Sequence, residues 1–210
     1  MARWSKEKRA EVRGEILVAA RAIFEELGFE GASMRDIASR AGVGVGTLFN
    51  YAEDKRALLY AALRDDLERV LEQCVTQMPA PEEGLEALLV HTAGVFYRFY
   101  GERPVLSRAL LEQSMFARGE AGDAFRGQAM RVGAEMITRV VEMQRLGLVD
   151  AHASPRKITL AFFSHYYFAL ISGFNGDGFD AAAMTARVGL LAHQLTRGVG
   201  AKERDDGQAT

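Results

Sequence analysis

The sequence predicts an all-α fold with about nine helices. Its 210 residues include only four prolines, and long stretches of good helix-forming residues separate them. No stretch shows the alternation of apolar and polar residues that is typical of a half-buried β-strand. A hydrophobic content of 49% with 26% charged residues is ordinary for a globular protein and is enough to form a large core.

Residues 34–52 predict a helix, a short turn and a second helix. Ile37 and Ala38 share one face of the first helix, Gly42 occupies the turn, and Leu48 returns to the same core. Glycine suits the turn because a positive φ costs it little. A helix-turn-helix of this kind places the start of its second helix in the major groove of DNA, while its first helix crosses the backbone.

Helical spacing also predicts the elements on either side. An apolar stripe predicts a helix over residues 13–27 that stops at Gly28, and Ser33 is placed to cap the next helix. Asp54 is placed to cap a long connecting helix over 55–78, which the following prolines end. Further helices are predicted at 82–101, 104–117, 121–147, 155–173 and 180–198, and residues 200–210 are predicted to be disordered.

A characteristic set of residues lies in the first sixty or so positions: 16–24, Gly28-Phe29, 34–38, 41–43, 46–49 and Lys55. This set resembles the DNA-binding domain of the tetracycline-repressor (TetR/AcrR) family of bacterial transcription regulators. The resemblance implies a DNA-binding domain at 1–54 and a helical ligand-binding and dimerisation domain at 55–199. It also implies a homodimeric repressor that binds a palindromic double-stranded DNA operator and leaves it when a small apolar or aromatic effector binds.

The helix-turn-helix supplies the candidate DNA contacts. Val45, Thr47 and Asn50 stand at the start and on the exposed face of the second helix, where base edges lie within reach, and Arg35 is expected at the same groove or its rim. Val45, Gly46 and Thr47 are short enough to keep this helix start unobstructed, and Gly44 at the cap position completes the candidate set. Thr47, Tyr51 and Lys55 are carried over from matching family positions as contacts to backbone phosphates.

Charge is spread unevenly along the chain. The formal net charge of −2 argues against a protein that coats nucleic acid. The first thirteen residues nevertheless hold two acidic and five basic side chains, namely Arg3, Lys6, Lys8, Arg9 and Arg13. Next to a helix-turn-helix, such a segment can neutralise phosphates, although a solvated and partly disordered start is an open alternative.

The C-terminal part holds most of the aromatic and methionine residues, which can line an adaptable apolar pocket or simply form a core. The candidate effector-binding residues are Phe96, Tyr97, Tyr100, Glu112, Met115, Phe116, Met136, Phe162, His165 and Tyr166. In the last helix, the apolar series Met184, Val188, Leu191, Leu195 and Val199 could pack within the core or against a second copy. The family resemblance implies a dimer interface formed by 155–173 and 180–198.

Several classes of protein are disfavoured. The four histidines show no i, i+4 pair, and Gly42, Gly44 and Gly46 follow a helix where a phosphate-binding loop would follow a strand. We therefore predict that the protein is not an enzyme, with no catalytic residue, no metal ligand and no cofactor. A helical ligand-binding or interaction module with a degenerate helix-turn-helix remains an alternative, because Gly44, Phe49 and Ala52 depart from the family pattern.

Location is predicted from the cysteine and the apolar segments. The single cysteine, Cys74, excludes an internal disulfide and fits a reducing compartment, and its helix position predicts a buried structural thiol. The apolar stretch 158–174 contains Ser164 and His165 and is short for a membrane span, so it predicts a core helix. The basic N-terminus lacks the apolar run of a secretory signal. We expect a cytoplasmic protein without a membrane partner.

Overall fold

The computed structural model describes residues 5–115, 120–176 and 178–199. Within these ranges the chain forms nine α-helices and one short 3-10 turn at Pro81–Glu83. The helices are α1 (Lys6–Gly31), α2 (Met34–Arg40), α3 (Val45–Phe49), α4 (Lys55–Thr76), α5 (Gly84–Glu102), α6 (Pro104–Ser114), α7 (Glu120–Arg145), α8 (Pro155–Phe174) and α9 (Ala181–Val199). The prediction of an all-α fold with about nine helices is confirmed.

The ends of the helices follow local capping rules. The Ser33 and Asp54 side chains accept hydrogen bonds from the backbone N–H groups of Asp36 and Ala57, as predicted for N-caps. Gly28 has φ 68° and interrupts α1, which confirms it as a stop signal. The predicted start of α1 at residue 13 was wrong. Ser5 caps the helix by accepting a bond from the Lys8 N–H at 3.2 Å, so the basic segment from Lys6 is helical.

The described residues pack as two compact units. The first unit comprises the chain up to Val70 together with 102–128, and the second comprises 71–101 together with the chain from Ala129. The predicted boundary after residue 54 follows the helix-turn-helix motif. The packing instead groups α6 and most of α4 with that motif. The predicted tail at 200–210 lies outside the described residues.

The core of the first unit joins α1, α2, α3 and α4. Its fully or almost fully buried side chains are Ile16, Ala20, Phe24, Ile37, Ala38, Leu48, Leu58, Leu59 and Ala62. Arg21 adds a polar link between α1 and α4, because its Nε donates to the Ala62 carbonyl at 2.6 Å and its guanidinium lies 3.1 Å from the Asp66 carboxylate. α6 packs on α1, and Arg103 on its N-terminal side pairs with Glu25 of α1 at 3.3 Å. The helix-turn-helix is thus held on a three-helix support.

The second unit is built around α5, α8 and α9. Leu85, Leu88 and Leu89 of α5 are buried, as are Ile158 and Leu170 of α8. In α9 the series predicted from sequence faces this core, because Met184 and Val188 are buried and Leu191 and Leu195 are partly buried. The Val199 side chain is not among those that the structure describes. None of the helices in the described part of the chain has the length and apolar run that a membrane crossing needs.

Cys74 offers a direct test of the packing of α4. The residue is fully buried, as predicted, and burial raises the pKa of its thiol to about 12 from an ordinary value of about 8.5. At pH 8 the thiol therefore stays protonated and covered. We expect Ellman's reagent to react at least about a hundredfold more slowly with the native protein than with free cysteine, and to titrate one thiol after unfolding in guanidinium. Rapid reaction of the native protein would contradict this packing.

Candidate nucleic-acid interface

Helix α2 is fixed to the rest of the first unit through its buried face and its C-terminal end. Its buried side, Ile37 and Ala38, lies in the core of the first unit. At its C-terminal end, the Arg40 guanidinium donates two hydrogen bonds to the Glu26 carboxylate of α1, at 2.9 and 2.8 Å. The hydrogen bonds from Arg40 lower the pKa of Glu26. The pair is exposed, so it orients α2 more than it stabilises the domain.

The turn between α2 and α3 is a Schellman motif centred on Gly42. Gly42 has φ 66°, in the left-handed region that glycine occupies at little cost. Its N–H donates to the Ser39 carbonyl at 3.2 Å, and the N–H of Val43 donates to the Ala38 carbonyl at 3.0 Å. These bonds satisfy the last carbonyls of α2 and set the direction in which the chain enters α3.

Helix α3 is short and carries no charged residue. The N–H groups of Thr47 and Leu48 donate to the Gly44 carbonyl, and Gly44 provides no side-chain cap. Leu48 is fully buried, which fixes the rotation of the helix. Phe49 and Asn50 are consequently exposed, and Val45 and Thr47 are partly exposed. The predicted exposed face is therefore present, with Gly46 open beside it: a Cβ added there would meet no atom within 4 Å.

Two residues expected to bind phosphates make contacts within the protein. The Lys55 ammonium donates to the carbonyls of Phe29, Glu30 and Ala32 at the end of α1, and it lies 4.4 Å from the centroid of the Phe29 ring. The Tyr51 hydroxyl donates to the carbonyl of Arg9 at 3.3 Å. The three donors of the ammonium are thus engaged. The phosphate contacts of Lys55 and Tyr51 stay predictions, and the structure adds a role in holding α1 against α3 and α4.

The other basic candidates are exposed. Arg35 stands in the first turn of α2, and Lys6, Arg9 and Arg13 lie along the first turns of α1. Lys8, on the same segment, pairs with Glu11 at 3.0 Å. Arg3 lies outside the described residues. The open alternative of a disordered start does not hold from Lys6 onward, where the chain is helical.

Four of the candidate effector-binding residues form one aromatic cluster in the second unit. The rings of Tyr97 and Tyr166 stack with centroids 5.0 Å apart, and the Tyr97 hydroxyl donates to the Tyr166 carbonyl at 2.9 Å. Phe96 and Phe162 lie against Tyr166 with centroids 6.5 and 5.9 Å away. Burial raises the pKa of both tyrosines, so their hydroxyls stay protonated at neutral pH.

The remaining candidates are more dispersed. Tyr100 and Met136 are buried in the second unit, with the Tyr100 ring 6.4 Å from that of Phe174. Glu112 and Met115 belong to the first unit, where Glu112 accepts a bond from Arg108 at 2.8 Å. Phe116 lies outside the described residues.

His165 is exposed on α8, and its Nδ1 is 2.7 Å from the Ala161 carbonyl. It borders a small, mostly apolar pocket lined also by Leu89, Phe162, Val188, Leu191, Ala192 and Leu195. Of these, only Phe162 and His165 were predicted as effector contacts. The helical spacing of α9 had indicated Val188, Leu191 and Leu195 as one apolar series, without indicating a pocket.

Among the described residues, no three His, Cys, Asp or Glu side chains are grouped so that they could hold a metal ion.

The helix-turn-helix matches a known family. The sequence model of the family described as bacterial regulatory proteins, tetR family, matches residues 16–62, from the middle of α1 to the first turns of α4. This part of the chain belongs to the TetR family. Gly28, Gly42 and Leu48, whose roles are described above, all lie within the matched segment.

Two named relatives of this chain are transcription regulators. The HTH-type transcriptional repressor KstR of Mycolicibacterium smegmatis is 32% identical over 133 residues, which are 62% of this chain and 61% of KstR. The HTH-type transcriptional regulator UidR of Escherichia coli K12 is 31% identical over 103 residues, which are 48% of this chain and 50% of UidR. The chain thus spans between half and three fifths of the length of these relatives.

Solved structures share the whole fold at low identity. A TetR-family regulator from Pectobacterium atrosepticum has a TM-score of 0.68 and 21% identity, covering 96% of this chain and 100% of that one. The regulator FadR from Bacillus subtilis, in complex with stearoyl-CoA, has a TM-score of 0.67 and 15% identity, covering 85% and 96%. The described residues of this chain therefore have the fold of TetR-family regulators.

A Lys55→Met substitution separates the two roles of Lys55, because it keeps the apolar stem and removes the ammonium. Since the ammonium bonds carbonyls in the free protein, we expect the free energy of unfolding to fall by about 1.5–3 kcal/mol in urea titrations. If Lys55 has only this structural role, the slope of log affinity for DNA against log salt should stay that of the wild type.

Arg64→Met is the matched control for Lys55→Met, because it removes one exposed positive charge from the same helix. It should change stability by less than about 0.5 kcal/mol. Unchanged stability of Lys55→Met, together with a salt slope shallower by about one, would instead support the phosphate contact.

Proposed function

We propose that this chain is a transcription regulator that binds double-stranded DNA, acting as a repressor in the cytoplasm. The observation that carries the proposal is the helix-turn-helix itself: Leu48 is buried in the core of the first unit, while the opposite face of α3 is uncovered. The TetR-family match over residues 16–62 and the regulator relatives support it. In the proposed complex α3 enters the major groove, with Val45, Thr47 and Asn50 near base edges and Arg35 at the rim.

The proposed regulator acts as a homodimer through α8 and α9. Support comes from the large apolar side chains that these helices leave exposed, Leu160, Phe168 and Ile171 on α8 and Leu190 on α9. Exposed apolar groups of this size favour an interface. A dimer with two-fold symmetry also presents two copies of α3 to the two halves of a palindromic operator.

The proposed effector is a small molecule with an apolar or aromatic part. The cluster of Phe96, Tyr97, Phe162 and Tyr166, with the apolar pocket beside it, is the candidate site. The stearoyl-CoA complex of FadR, which shares the fold, makes a long acyl chain one candidate. Because the rings are closely packed, the effector must favour a state in which they separate. Release of DNA then requires that this state binds the operator more weakly.

Helix α4 is the proposed route between effector and DNA. Its residues up to Val70 belong to the first unit and those from Leu71 belong to the second. A tilt of the helix would therefore move the reading head, which is the helix-turn-helix of α2 and α3. Lys55 and Arg21 connect the first part of α4 to α1.

A ligand-binding or interaction module with a degenerate helix-turn-helix is the second candidate function, supported by the absence of a side-chain cap on α3 at Gly44.

DNA binding by the purified protein is the first test. Duplexes selected from a randomised library should bind at least about a thousandfold more tightly than scrambled duplexes in fluorescence-anisotropy titrations. Thr47→Ala should weaken operator binding about tenfold and scrambled binding less than about twofold, because Thr47 faces base edges.

Thr138→Ala is the control for that test, since Thr138 is an exposed threonine of α7 outside the reading head. It should behave as the wild type on both duplexes. Weak and equal binding of the wild type to both duplexes would favour the degenerate module.

The proposed interface predicts that Phe168→Glu yields a monomer. Phe168 is 68% exposed on α8, so a charge there leaves the folded unit intact but opposes burial against a second copy. Light scattering after size-exclusion chromatography should give the mass of one chain for this variant and of two for the wild type.

Val18→Glu is the matched control for Phe168→Glu, because Val18 is also 68% exposed but lies on α1. This variant should remain dimeric. If Phe168→Glu also remains dimeric, the dimer interface does not include the exposed face of α8.

A further inference from the structure

We infer that the exposed face of α3 reads thymine methyl groups, so that the operator half-site is rich in A·T pairs where α3 meets it. The inference rests on the proposed function and names the bases that this reading head selects. Helix α3 consists of Val45, Gly46, Thr47, Leu48 and Phe49, with Asn50 at its C-cap. Its exposed and partly exposed side chains are thus two apolar groups, one threonine and one amide.

Each base pair requires a different side chain in the major groove. Guanine is read by arginine or lysine at O6 and N7, and the N4 amino group of cytosine by a carboxylate. Adenine is read by asparagine or glutamine, and the 5-methyl group of thymine by apolar contact. Since α3 offers only the last two kinds of group, Asn50 suits adenine, and Val45 and Phe49 suit thymine.

The geometry of α3 directs these apolar groups away from the protein. Leu48 is fully buried and fixes the rotation of the helix, whereas Phe49 is 50% exposed. Val45 and Phe49 are four residues apart and therefore lie on the same side of the helix, one turn from each other. The phenyl ring has no polar atom that could bind a phosphate. A half-exposed ring at this place is complementary to a methyl group that projects into the groove.

The cations in and next to the helix-turn-helix do not supply the guanine contacts that α3 lacks. Arg40 donates both its side-chain hydrogen bonds to Glu26, at 2.9 and 2.8 Å. The Lys55 ammonium is bonded to carbonyls at the end of α1. Arg35 is exposed, but it belongs to α2, which runs across the backbone in this kind of motif. Within the helix-turn-helix, a guanine contact would thus fall to Arg35 at the edge of the site.

Thymine-to-deoxyuridine substitution tests the inference, because it removes only the methyl group and keeps every hydrogen-bonding atom. The probe is the duplex enriched from a randomised library by the full-length wild-type protein, with each thymine replaced singly. We expect enriched A·T pairs in each half-site. At least one replacement per half-site should weaken binding threefold to fivefold, roughly the cost of removing one buried methyl group.

A mutant cycle assigns the methyl contact to Phe49. In Phe49→Ala the sensitive deoxyuridine replacement should change affinity by less than about 1.5-fold, because the ring that contacts the methyl is gone. Phe49→Tyr retains the ring and should retain the sensitivity. Val105→Ala is the matched control, since Val105 is 52% exposed on α6 outside the reading head. Thermal unfolding followed by circular dichroism checks that each variant is folded.

The outcomes distinguish this inference from the proposed function. Three outcomes would overturn the reading of methyl groups by Phe49 while leaving DNA binding established. They are enrichment of G·C pairs throughout the half-site, no effect of any deoxyuridine replacement, and equal sensitivity of the wild type and Phe49→Ala to that replacement. Failure to enrich any sequence would overturn the proposed function and this inference together. Enrichment with a methyl effect that depends on Phe49 would establish both.

Discussion

The left-handed conformation of Gly42 determines how the reading head is built. With φ 66° it lets the N–H groups of Gly42 and Val43 satisfy the end of α2 and turns the chain sharply into α3. A residue with a Cβ would pay roughly 1–2 kcal/mol in that conformation. Because the turn brings Leu48 into the core, the rotation of a helix of only five residues is set by one buried side chain. The outward direction of Phe49 and Asn50 follows from this burial.

Charged groups around the reading head mainly hold its helices in place. Arg40 joins α2 to α1, Arg21 joins α1 to α4, and Lys55 joins the start of α4 to the end of α1. Each of these cations is already paired within the protein. The attraction for phosphates that the proposed function requires therefore falls to the exposed basic residues of α1 and to Arg35. Specificity and electrostatic attraction would then come from different helices, with uncharged α3 supplying the specificity.

The parts of the fold that depend on local rules could be predicted from the sequence. Gly28 and Gly42 were recognised because a positive φ favours glycine, and Ser33 and Asp54 because their side chains accept backbone N–H groups. The start of α1 was missed, since the polar segment before Val12 has no apolar stripe. Packing between distant helices was also beyond the sequence. Composition alone grouped Glu112 and Met115 with the aromatic residues, although they belong to the first unit.

Helix α8 shows both why its orientation could not be predicted and why its outer face suits a second copy. It is apolar on nearly every side, so helical periodicity does not mark a buried face. In the structure Leu160, Phe168 and Ile171 are exposed and lie within about 80° of one another around the helix axis.

Two serine hydroxyl groups beside this stripe already have partners. The Ser164 and Ser172 hydroxyls donate to the carbonyls of Leu160 and Phe168, each at 2.9 Å. Covering the stripe would remove apolar surface from water without leaving these hydroxyl groups unsatisfied, which avoids the main cost of burying a polar group. The stripe is therefore suited to the isologous contact that the proposed palindrome-binding dimer needs, because the same residues can meet across a two-fold axis.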